Sequence, residues 1–342
     1  MIQPPIRGTV ARLLGRHQYQ ARLGSDMKLK FKDEGQGIIC IETHFQRPGL
    51  ASCYLIQSTG KAALIDTGTA RTTDNILQLL ELLDIDRSQV RYVIPTHVHL
   101  DHAGGSGQLM AQLPQAELVI HPFGARHMVD PGKIAAGSSE VYGEAEFKRQ
   151  FVELLPIPEE RVIKADDGMR IRLGTRELNC LDTPGHARHH ICIWDSESRG
   201  IFTGDTFGIA YPELCTEQGP FMFLPSTPVQ FDPDDWHRTI DRLMDLNPAR
   251  CYLTHYGSVD KPQELAPILH QEIDAYVATA LPLLGVQNPL DELEMALWEH
   301  IRKRLRKHDN KQSPPEQERL LGMDVRLCAQ GLQVWLQKQE SR

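Results

Sequence analysis

Short apolar and β-branched runs alternate with glycine and proline turns over residues 37–68, and this pattern predicts three strands joined by turns. Residues 71–84 change to helical spacing, with Ile76, Leu79, Leu80 and Leu83 on one face. Strand and helix patterns continue to alternate further along the chain. Because hairpins are mixed with strand–helix units, the sequence predicts a layered α/β arrangement with the sheet inside and the helices outside.

Towards the carboxyl terminus the strand pattern gives way to three helical segments, predicted roughly at residues 262–284, 289–308 and 314–338. Asn288 and Pro289 form an N-cap followed by proline, and Ser313 opens a capping box with Glu316. A helical extension packed on the α/β domain would give the same pattern as a separate domain. The predicted division is an N-terminal extension over residues 1–22, an α/β domain over 23–261 and a helical C-terminal domain over 262–342.

Composition and charge exclude some classes of protein. The 342 residues are 41% hydrophobic and 24% charged, and no apolar run approaches the roughly 20 residues that cross a membrane. The amino terminus lacks the uninterrupted apolar core of a secretory signal, so we expect a cytoplasmic protein. The formal charge of -8 disfavours nucleic acid as a partner, because phosphate binding needs clustered lysine and arginine.

The seven cysteines are dispersed, odd in number and without a CxxC pair. They predict neither a disulfide framework nor a thiolate zinc site. Most are expected to be small buried hydrophobes. The sequence offers no GxSxG turn for a serine nucleophile, and none of the cysteines lies in a pattern typical of a nucleophile.

Three histidines and an aspartate lie within the segment PTHVHLDHAGG at residues 95–105. His97 and His99 follow an apolar strand at a spacing of two, which points both side chains the same way in an extended chain. Asp101 and His102 come next, where two glycines let the chain turn into a helix. Imidazole and carboxylate are ligands that zinc, iron and manganese accept. A solvated turn explains any single histidine, but the four together predict a metal site that extends to a second metal or to further ligands.

Four other apolar runs each end in a turn that carries one residue of a ligand type. The edge of a sheet collects such residues from distant parts of a chain. Each occurrence alone is weak, yet packing does not explain all four together. These residues are Asp66 in ALIDTG, His186 in TPGH, Asp205 in IFTGDT and His255 in YLTHYG.

A strand-end Asp, the motif HxHxDH and then His, Asp and His, in this order, resemble the signature of the metallo-β-lactamase superfamily. The resemblance covers about residues 37–257. It implies an αββα sandwich with a C-terminal helical extension and a site for two metal ions. By this resemblance His97, His99 and His186 hold one metal ion, Asp101, His102 and His255 hold the other, and Asp205 bridges them.

Two further residues receive supporting roles from the resemblance. Asp66 matches the first family motif and is expected to accept a hydrogen bond from a ligand or to order its loop, and His190 matches the second histidine of GHxxxH. His189 is predicted to be an exposed turn residue. The remaining histidines fit no ligand pattern, with His121 at the end of ELVIHP as the strongest exception.

The implied cofactor is a pair of divalent metal ions, with zinc preferred and iron or manganese as alternatives. Such a pair can share a water and lower its pKa. The resemblance therefore implies a hydrolase with a metal-bridging hydroxide, and Asp101 or Asp205 as the proton acceptor. Tyr211 lies in an aromatic loop over residues 208–233, where its hydroxyl can donate to an oxyanion and the loop can line an apolar pocket. Alternatively, these aromatic side chains form the loop's own core.

Differences from other branches narrow the expected substrate. His102 and Asp205 stand where the antibiotic-hydrolysing branch has arginine and cysteine, and Leu100 replaces the glycine typical of the RNA-processing branch. The chain is more similar to glyoxalase II thioesterases and acyl-lactone hydrolases. We therefore expect a small-molecule thioester, lactone or ester with an apolar acyl part. Phosphodiester hydrolysis, a mononuclear iron persulfide dioxygenase and a non-catalytic binding protein are the alternatives.

Three segments outside the signature receive roles from their composition and position. The basic run at residues 300–311 can hold an acidic substrate tail, although a solvated helix face is the favoured interpretation. Residues 123–152 are predicted as a helix interrupted by DPGK and AAGSSE, and as a lid from position alone. The apolar side chains of the last helix dock on the main domain or on a second copy of the chain, so a homo-oligomer is one alternative.

Overall fold

The computed structural model describes residues 18–21, 29–225, 227 and 229–341. The predicted N-terminal extension over residues 1–22 lies outside these residues, apart from the strand Gln18–Ala21. The chain divides into two units by its internal contacts. The first unit is Met1–Ala165 with Arg170–Leu178, and the second is Asp166–Met169 with Asn179–Arg342.

Strands and helices alternate in the first unit as the sequence pattern predicts. Its strands are β1 (Gln18–Ala21), β2 (Leu29–Gly35), β3 (Ile38–Glu42), β4 (Ser52–Ser58), β5 (Lys61–Ile65), β6 (Val90–Ile94), β7 (Glu117–Ile120), β8 (Val162–Lys164) and β9 (Arg170–Leu173). Its helices are α1 (Thr73–Leu82), α2 (Leu100–Ala103), α3 (Ser106–Gln112), α4 (Pro122–Val129), α5 (Gly132–Tyr142) and α6 (Glu144–Phe151).

An eight-stranded sheet, in the order β1 to β8, organises the first unit. Neighbours from β1 to β5 are antiparallel, whereas β5 to β8 are parallel because helices connect them. Parallel strands bring their carboxyl ends to one edge of the sheet. Asp66, His97 and His121 follow β5, β6 and β7 there, so the topology itself collects these side chains.

Apolar side chains on both the sheet and α1 form the core of the first unit. All five residues of β3 are buried, as expected for an interior strand. Ile76, Leu79 and Leu80 are also buried and belong to the same core cluster, and Leu83, the C-cap of α1, is partly buried against it. The face predicted for α1 from its spacing is therefore confirmed.

The segment over residues 123–152 contains three helices, α4 to α6. The predicted break at DPGK is confirmed, because α4 ends at Val129 and α5 begins at Gly132. The predicted break at AAGSSE is wrong, since residues 135–140 lie inside α5. Alanine has the best helix propensity and only Gly137 weakens this stretch, so the helix continues through it.

The second sheet has the strand order β14-β13-β12-β11-β10-β9, with β10 (Arg176–Asp182), β11 (Ile191–Asp195), β12 (Gly200–Gly204), β13 (Arg250–Leu253) and β14 (Gly257–Asp260). Strand β9 and the first residues of β10 belong to the first unit. Strands β12 and β13 are parallel, which brings Asp205 and His255 to neighbouring strand ends. Helix α7 (Pro233–Asp245) lies between β12 and β13 in sequence.

Three long helices complete the second unit: α8 (Pro262–Ala280), α9 (Leu290–Lys307) and α10 (Pro314–Glu340). They confirm the three predicted C-terminal helices, with boundaries that differ by a few residues. In α9 a buried stripe of Leu293, Leu297, Ile301 and Leu305 recurs every four residues. The boundary before residue 262 stays a prediction. None of the helices in the described part of the chain has the length and apolar character that crossing a membrane requires.

Candidate metal centre

Asp66 anchors the histidine loop of the first unit, the segment over residues 95–105 that carries His97, His99 and His102. It follows β5 with a positive φ of 56° and is almost fully buried. Its Oδ1 accepts hydrogen bonds from the Thr96 backbone N–H at 2.7 Å and the Thr96 hydroxyl at 3.0 Å, and its Oδ2 lies 2.9 Å from His102 Nδ1. With the proton on Nδ1, Nε2 of His102 carries the lone pair that a metal ion needs.

The other ligand-type side chains of the motif lie beside His102. His97 Nε2 is 2.8 Å from His99 Nδ1, and Asp101 Oδ2 is 3.7 Å from His102 Nε2. His97 and His102 are fully buried, while His99 and Asp101 are half-buried. In the first unit the predicted ligands therefore form two pairs, His97 with His99 and Asp101 with His102, each a possible part of a metal site.

Two glycines fix the turn after the motif. A Cβ at Gly104 would meet Leu100 O at 2.2 Å, and one at Gly105 would meet Thr69 O at 2.7 Å. The N–H of Gly105 donates to Gly68 O at 2.9 Å. A side chain at Gly105 would push the histidine loop away from the loop that follows Asp66, whereas one at Gly104 would collide with the preceding turn of the histidine loop itself.

The loop after β10 carries His186 and packs tightly against α7. A Cβ at Gly185, whose φ is +130°, would lie 2.5 Å from Trp236 Cα. The Thr239 hydroxyl donates to Pro184 O at 2.7 Å, and the Trp236 ring lies edge-on to the buried His186 imidazole, with 5.9 Å between centroids. Helix α7 thus fixes the position of His186.

Asp205 lies between two histidines of the second unit. Its Oδ2 is 3.3 Å from His186 Nε2, and its Oδ1 is 3.5 Å from His255 Nε2. All three side chains are buried. One carboxylate therefore presents a different oxygen to each imidazole. Imidazole and carboxylate are ligands that divalent metal ions accept, so the donor set fits a metal site.

His190 supports the loop of Asp205 through a hydrogen bond to its backbone. Its Nε2 accepts a hydrogen bond from the Asp205 backbone N–H at 3.3 Å, so its Nδ1 carries the proton and lies 2.8 Å from the Thr183 hydroxyl. The ring is fully buried. His190 is therefore placed to orient the loop, with both ring nitrogens turned towards protein groups.

Tyr211 is buried and its hydroxyl donates to Asp324 of α10, at 3.1 Å from Oδ2. The aromatic residues of the loop over 208–233 pack on one another, with Phe223 5.5 Å from Tyr211 and 5.9 Å from Phe221 between ring centroids. They are all buried. This packing favours the alternative that the aromatic side chains form the loop's own core.

Two histidine predictions have clear outcomes. His189 is buried, so the prediction of an exposed turn residue is wrong; sequence spacing carries no signal of that burial. His121 accepts a hydrogen bond from the Phe123 backbone N–H at 3.0 Å, so it caps α4.

The cysteines behave as predicted. Six of them are buried and Cys215 is exposed. Burial raises the pKa of the Cys40 and Cys180 thiols to about 12. Because the thiolate is the nucleophilic form, these buried cysteines are inert.

The basic run at residues 300–311 is only in part a solvated face. Lys303, Arg306 and Lys307 are exposed. Arg304 instead donates to the buried Glu272 carboxylate at 2.6 Å and to Met222 O at 2.7 Å. It therefore ties α9 to α8 and to the aromatic loop.

The sequence analysis missed three residues that orient the predicted ligands: Thr96, Thr183 and Trp236. Thr96 binds the Asp66 carboxylate, Thr183 binds His190, and Trp236 donates from Nε1 to Thr206 O at 2.7 Å beside Asp205. The position of Thr96 directly before His97 could have indicated a supporting role, although this signal is weak. Nothing in the sequence connects Trp236 with residues about 30 positions earlier.

Comparison with known proteins identifies the family. A sequence profile of the metallo-beta-lactamase superfamily matches residues 47–255, more than half of the chain. The chain therefore belongs to the metallo-beta-lactamase superfamily. The predicted fold class, with two sheets and C-terminal helices, is confirmed.

The individual relatives described next share only about a quarter of their aligned residues with this chain. The chain is 26% identical to Beta-lactamase-like protein 2 homolog of Caenorhabditis elegans over 66% of its own length and 59% of that protein. It is 27% identical to human Acyl-coenzyme A thioesterase MBLAC2 over 63% of its length and 75% of that protein. A metallo-beta-lactamase family protein from Thermus thermophilus shares the fold, with a TM-score of 0.62, 20% identity and coverage of 89% of this chain and 94% of that one.

Proposed function

We propose that the chain is a dinuclear metal-dependent hydrolase that cleaves a thioester, with lactones and esters as related substrates. One observation carries the dinuclear part of the proposal. Asp205 offers Oδ2 to His186 and Oδ1 to His255, at 3.3 and 3.5 Å. A buried carboxylate between two buried imidazoles is the arrangement expected of a bridging ligand.

The assignment of ligands follows the family signature. Within each unit, the signature residues already lie in ligand-like pairs. We assign one ion to His97, His99 and His186, the other to Asp101, His102 and His255, and the bridge to Asp205. When bound, the metal ions supply a water of lowered pKa and polarise the acyl carbonyl.

The remaining steps fall to the protein's own groups. Asp66 holds the proton of His102 on Nδ1, which fixes the tautomer and orientation of that ligand. His190 accepts from the backbone of Asp205 and keeps the carboxylate in its place. Asp101 is half-buried beside His102, and we assign to its carboxylate the proton that leaves the attacking water.

The choice of a thioester rests on two points. A relative that is 27% identical is named as an acyl-coenzyme A thioesterase. A thiolate is also a good leaving group, so a hydrolase of thioesters does not depend on a strong acid next to the leaving sulfur. Tyr211 stays a proposed donor to the oxyanion; for that role its hydroxyl must leave Asp324, to which it donates in this structure.

The test is a kinetic comparison of three substrates with zinc-reconstituted protein: an acyl-coenzyme A thioester, an acyl-homoserine lactone and bis-p-nitrophenyl phosphate. Metal content is measured on the same samples. We expect the thioester to be preferred, and Asp205→Asn to reduce its hydrolysis to background. Asp234→Asn, at an exposed position of α7, is the matched control and should keep full activity.

Two results would contradict the proposal. If Asp205→Asn hydrolysed the thioester at the wild-type rate, the reaction would not use this carboxylate. If the protein held two metal ions and turned over the phosphodiester faster than the thioester, the site would be correct and the substrate class wrong. Oxygen consumption with a single bound iron would instead indicate a dioxygenase.

A further inference from the structure

Two histidine–aspartate pairs face each other on the surface of the second unit, and none of the four residues belongs to the family signature. Helix α7 carries His237 and Asp241, and helix α8 carries His270 and Asp274. In both helices the two residues are four positions apart, so each pair lies on one helix face. The spacing becomes meaningful only because α7 and α8 are neighbours.

The two imidazoles meet nitrogen to nitrogen. His237 Nδ1 is 2.6 Å from His270 Nδ1, and the ring planes are parallel to within 5°, with centroids 4.9 Å apart. Each Nε2 reaches the carboxylate on the opposite helix. The distance is 3.2 Å from His237 to Asp274 and 3.2 Å from His270 to Asp241.

Counting protons shows what this arrangement demands. Each Nε2 needs a proton to donate to its aspartate, and one further proton must lie between the two Nδ1 atoms. Two neutral imidazoles carry only two protons in total. The geometry therefore requires a third proton, or another cation in its place, between the two Nδ1 atoms. The two carboxylates at the Nε2 atoms add negative charge, which favours a cation there.

We propose that His237 and His270 form a second metal site, which binds one divalent late transition metal ion such as Ni²⁺, Cu²⁺ or Zn²⁺ through their Nδ1 atoms. Asp241 and Asp274 hold the Nε2 protons and thus orient both rings, the role that carboxylates have behind metal-bound histidines. The metal ion replaces the shared proton, which is released to solvent, and waters complete its coordination.

The site needs little rearrangement to accept the ion. Two nitrogens bound to one metal ion at the usual ~2.0–2.1 Å lie about 3.3 Å apart in tetrahedral geometry, so the Nδ1 atoms must separate by less than 1 Å. The His237 and His270 side chains are 29% and 26% exposed, which gives an ion access from solvent. Nitrogen ligands favour nickel and copper over calcium or magnesium.

Binding at this position would connect α7 to α8. Trp236 directly precedes His237 and contacts His186, so the ion would also stiffen the helix that positions a predicted ligand of the main site. An ion that binds only the folded chain raises its melting temperature. The proposal does not depend on the hydrolase function, because the four residues lie outside the signature.

The experiment uses the protein with its own metals bound, dialysed against micromolar Ni²⁺ and analysed for nickel per chain. Wild-type protein should hold one more nickel ion than the double variant His237→Gln/His270→Gln, and only the wild type should melt at a higher temperature with nickel. Both proteins share the signature residues, so the difference isolates the new site. His127→Gln, which removes a partly exposed histidine elsewhere, is the matched control and should keep the additional ion.

A second variant protects the test against misfolding. Asp241 and Asp274 are 73% and 75% exposed, so Asp241→Asn/Asp274→Asn should fold normally and weaken nickel binding about 10- to 100-fold. Equal nickel content in the wild type and the histidine double variant would overturn the proposal, as would unchanged affinity in the aspartate variant.

Discussion

At the scale of single residues, Asp66 controls which nitrogen of His102 is available. Its Oδ1 accepts from the Thr96 backbone and its Oδ2 faces His102 Nδ1. In Asp66→Asn the side-chain oxygen still accepts from the Thr96 backbone N–H, and the amide NH₂ group takes the place of Oδ2 and donates to His102 Nδ1. The proton of His102 then moves to Nε2, the nitrogen that we assign to a metal ion. We expect the affinity for one of the two ions to fall about 10- to 100-fold.

Metal content at equilibrium, measured by mass spectrometry against a series of chelator concentrations, checks this prediction. Asp86→Asn is a suitable control, because Asp86 is an exposed capping residue of the same unit. The control should keep both ions. Unchanged binding of both ions by Asp66→Asn would show that the tautomer of His102 does not matter.

The cysteines give a second prediction at the residue scale. Burial raises the pKa of the Cys40 and Cys180 thiols to about 12, and only Cys215 is exposed. Partial burial also raises the pKa of the Cys215 thiol, so at pH 8 we expect one thiol per native chain to react with a chromogenic disulfide faster than the six buried thiols but more slowly than a free thiol, and seven to react after denaturation. Cys215→Ser should abolish the fast reaction. Loss of hydrolysis after alkylation of Cys215→Ser would instead point to a reactive cysteine within the fold.

At the scale of elements, the contact between Gly185 and α7 sets the position of the His186 loop. In Gly185→Ala the new methyl group would overlap Trp236, because its Cβ lies 2.5 Å from Trp236 Cα. Backbone atoms cannot rotate away, so the loop and the helix must separate. We expect the free energy of unfolding to fall by about 1–3 kcal/mol, together with the affinity for metal.

Urea denaturation with parallel metal analysis measures both effects. Gly219→Ala is the control, since Gly219 also has a positive φ, +100°, but no atom within 4 Å of its Cβ position. It carries the backbone strain without the collision. An equal loss of stability in both variants would mean that strain alone, and not contact with α7, makes glycine necessary at residue 185.

Elements differ in how far the sequence predicts them. Helical period is a local signal, so the helices predicted at 262–284 and 289–308 lie within a few residues of α8 and α9. The predicted cap is wrong, because Pro289 and not Asn288 is the N-cap of α9. The predicted break at AAGSSE is wrong, because this stretch of small residues has the composition of a turn but continues as a helix inside α5. The pair of His237 and His270 could not be predicted, because it depends on which faces of α7 and α8 meet.

At the scale of the whole molecule, the order of the signature residues was enough to predict the family and the fold. The ligand types lie at strand ends, and parallel pairing of β5 with β6 and of β12 with β13 brings strand ends together. Strand pairing is non-local, so these ligands could be grouped in advance only through the family resemblance. Supporting residues such as Thr96 and Trp236 lack a motif, and only the folded chain shows their contacts.

The C-terminal helices give the last prediction, for a chain that ends at Lys261. Helix α10 contacts the aromatic loop through Trp335, 6.1 Å from Phe231 between ring centroids, and through Asp324, which accepts from Tyr211. Arg304 of α9 covers Phe221 at 4.7 Å from the ring centroid. Without the helices these rings face water, and the free energy of unfolding falls by roughly 1.5–3 kcal/mol for each side chain that becomes fully exposed. The typical free energy of unfolding of a whole protein is only about 5–15 kcal/mol.

We therefore expect the chain ending at Lys261 to lose cooperative unfolding in urea and to bind a hydrophobic dye. A chain that ends at Glu340, the last residue of α10, should unfold like the full-length protein. If the shorter chain instead unfolded cooperatively with its metals bound, the helices would be the separate domain that the sequence predicted from residue 262. The aromatic loop would then have to form its core without Trp335 and Arg304, which its present contacts argue against.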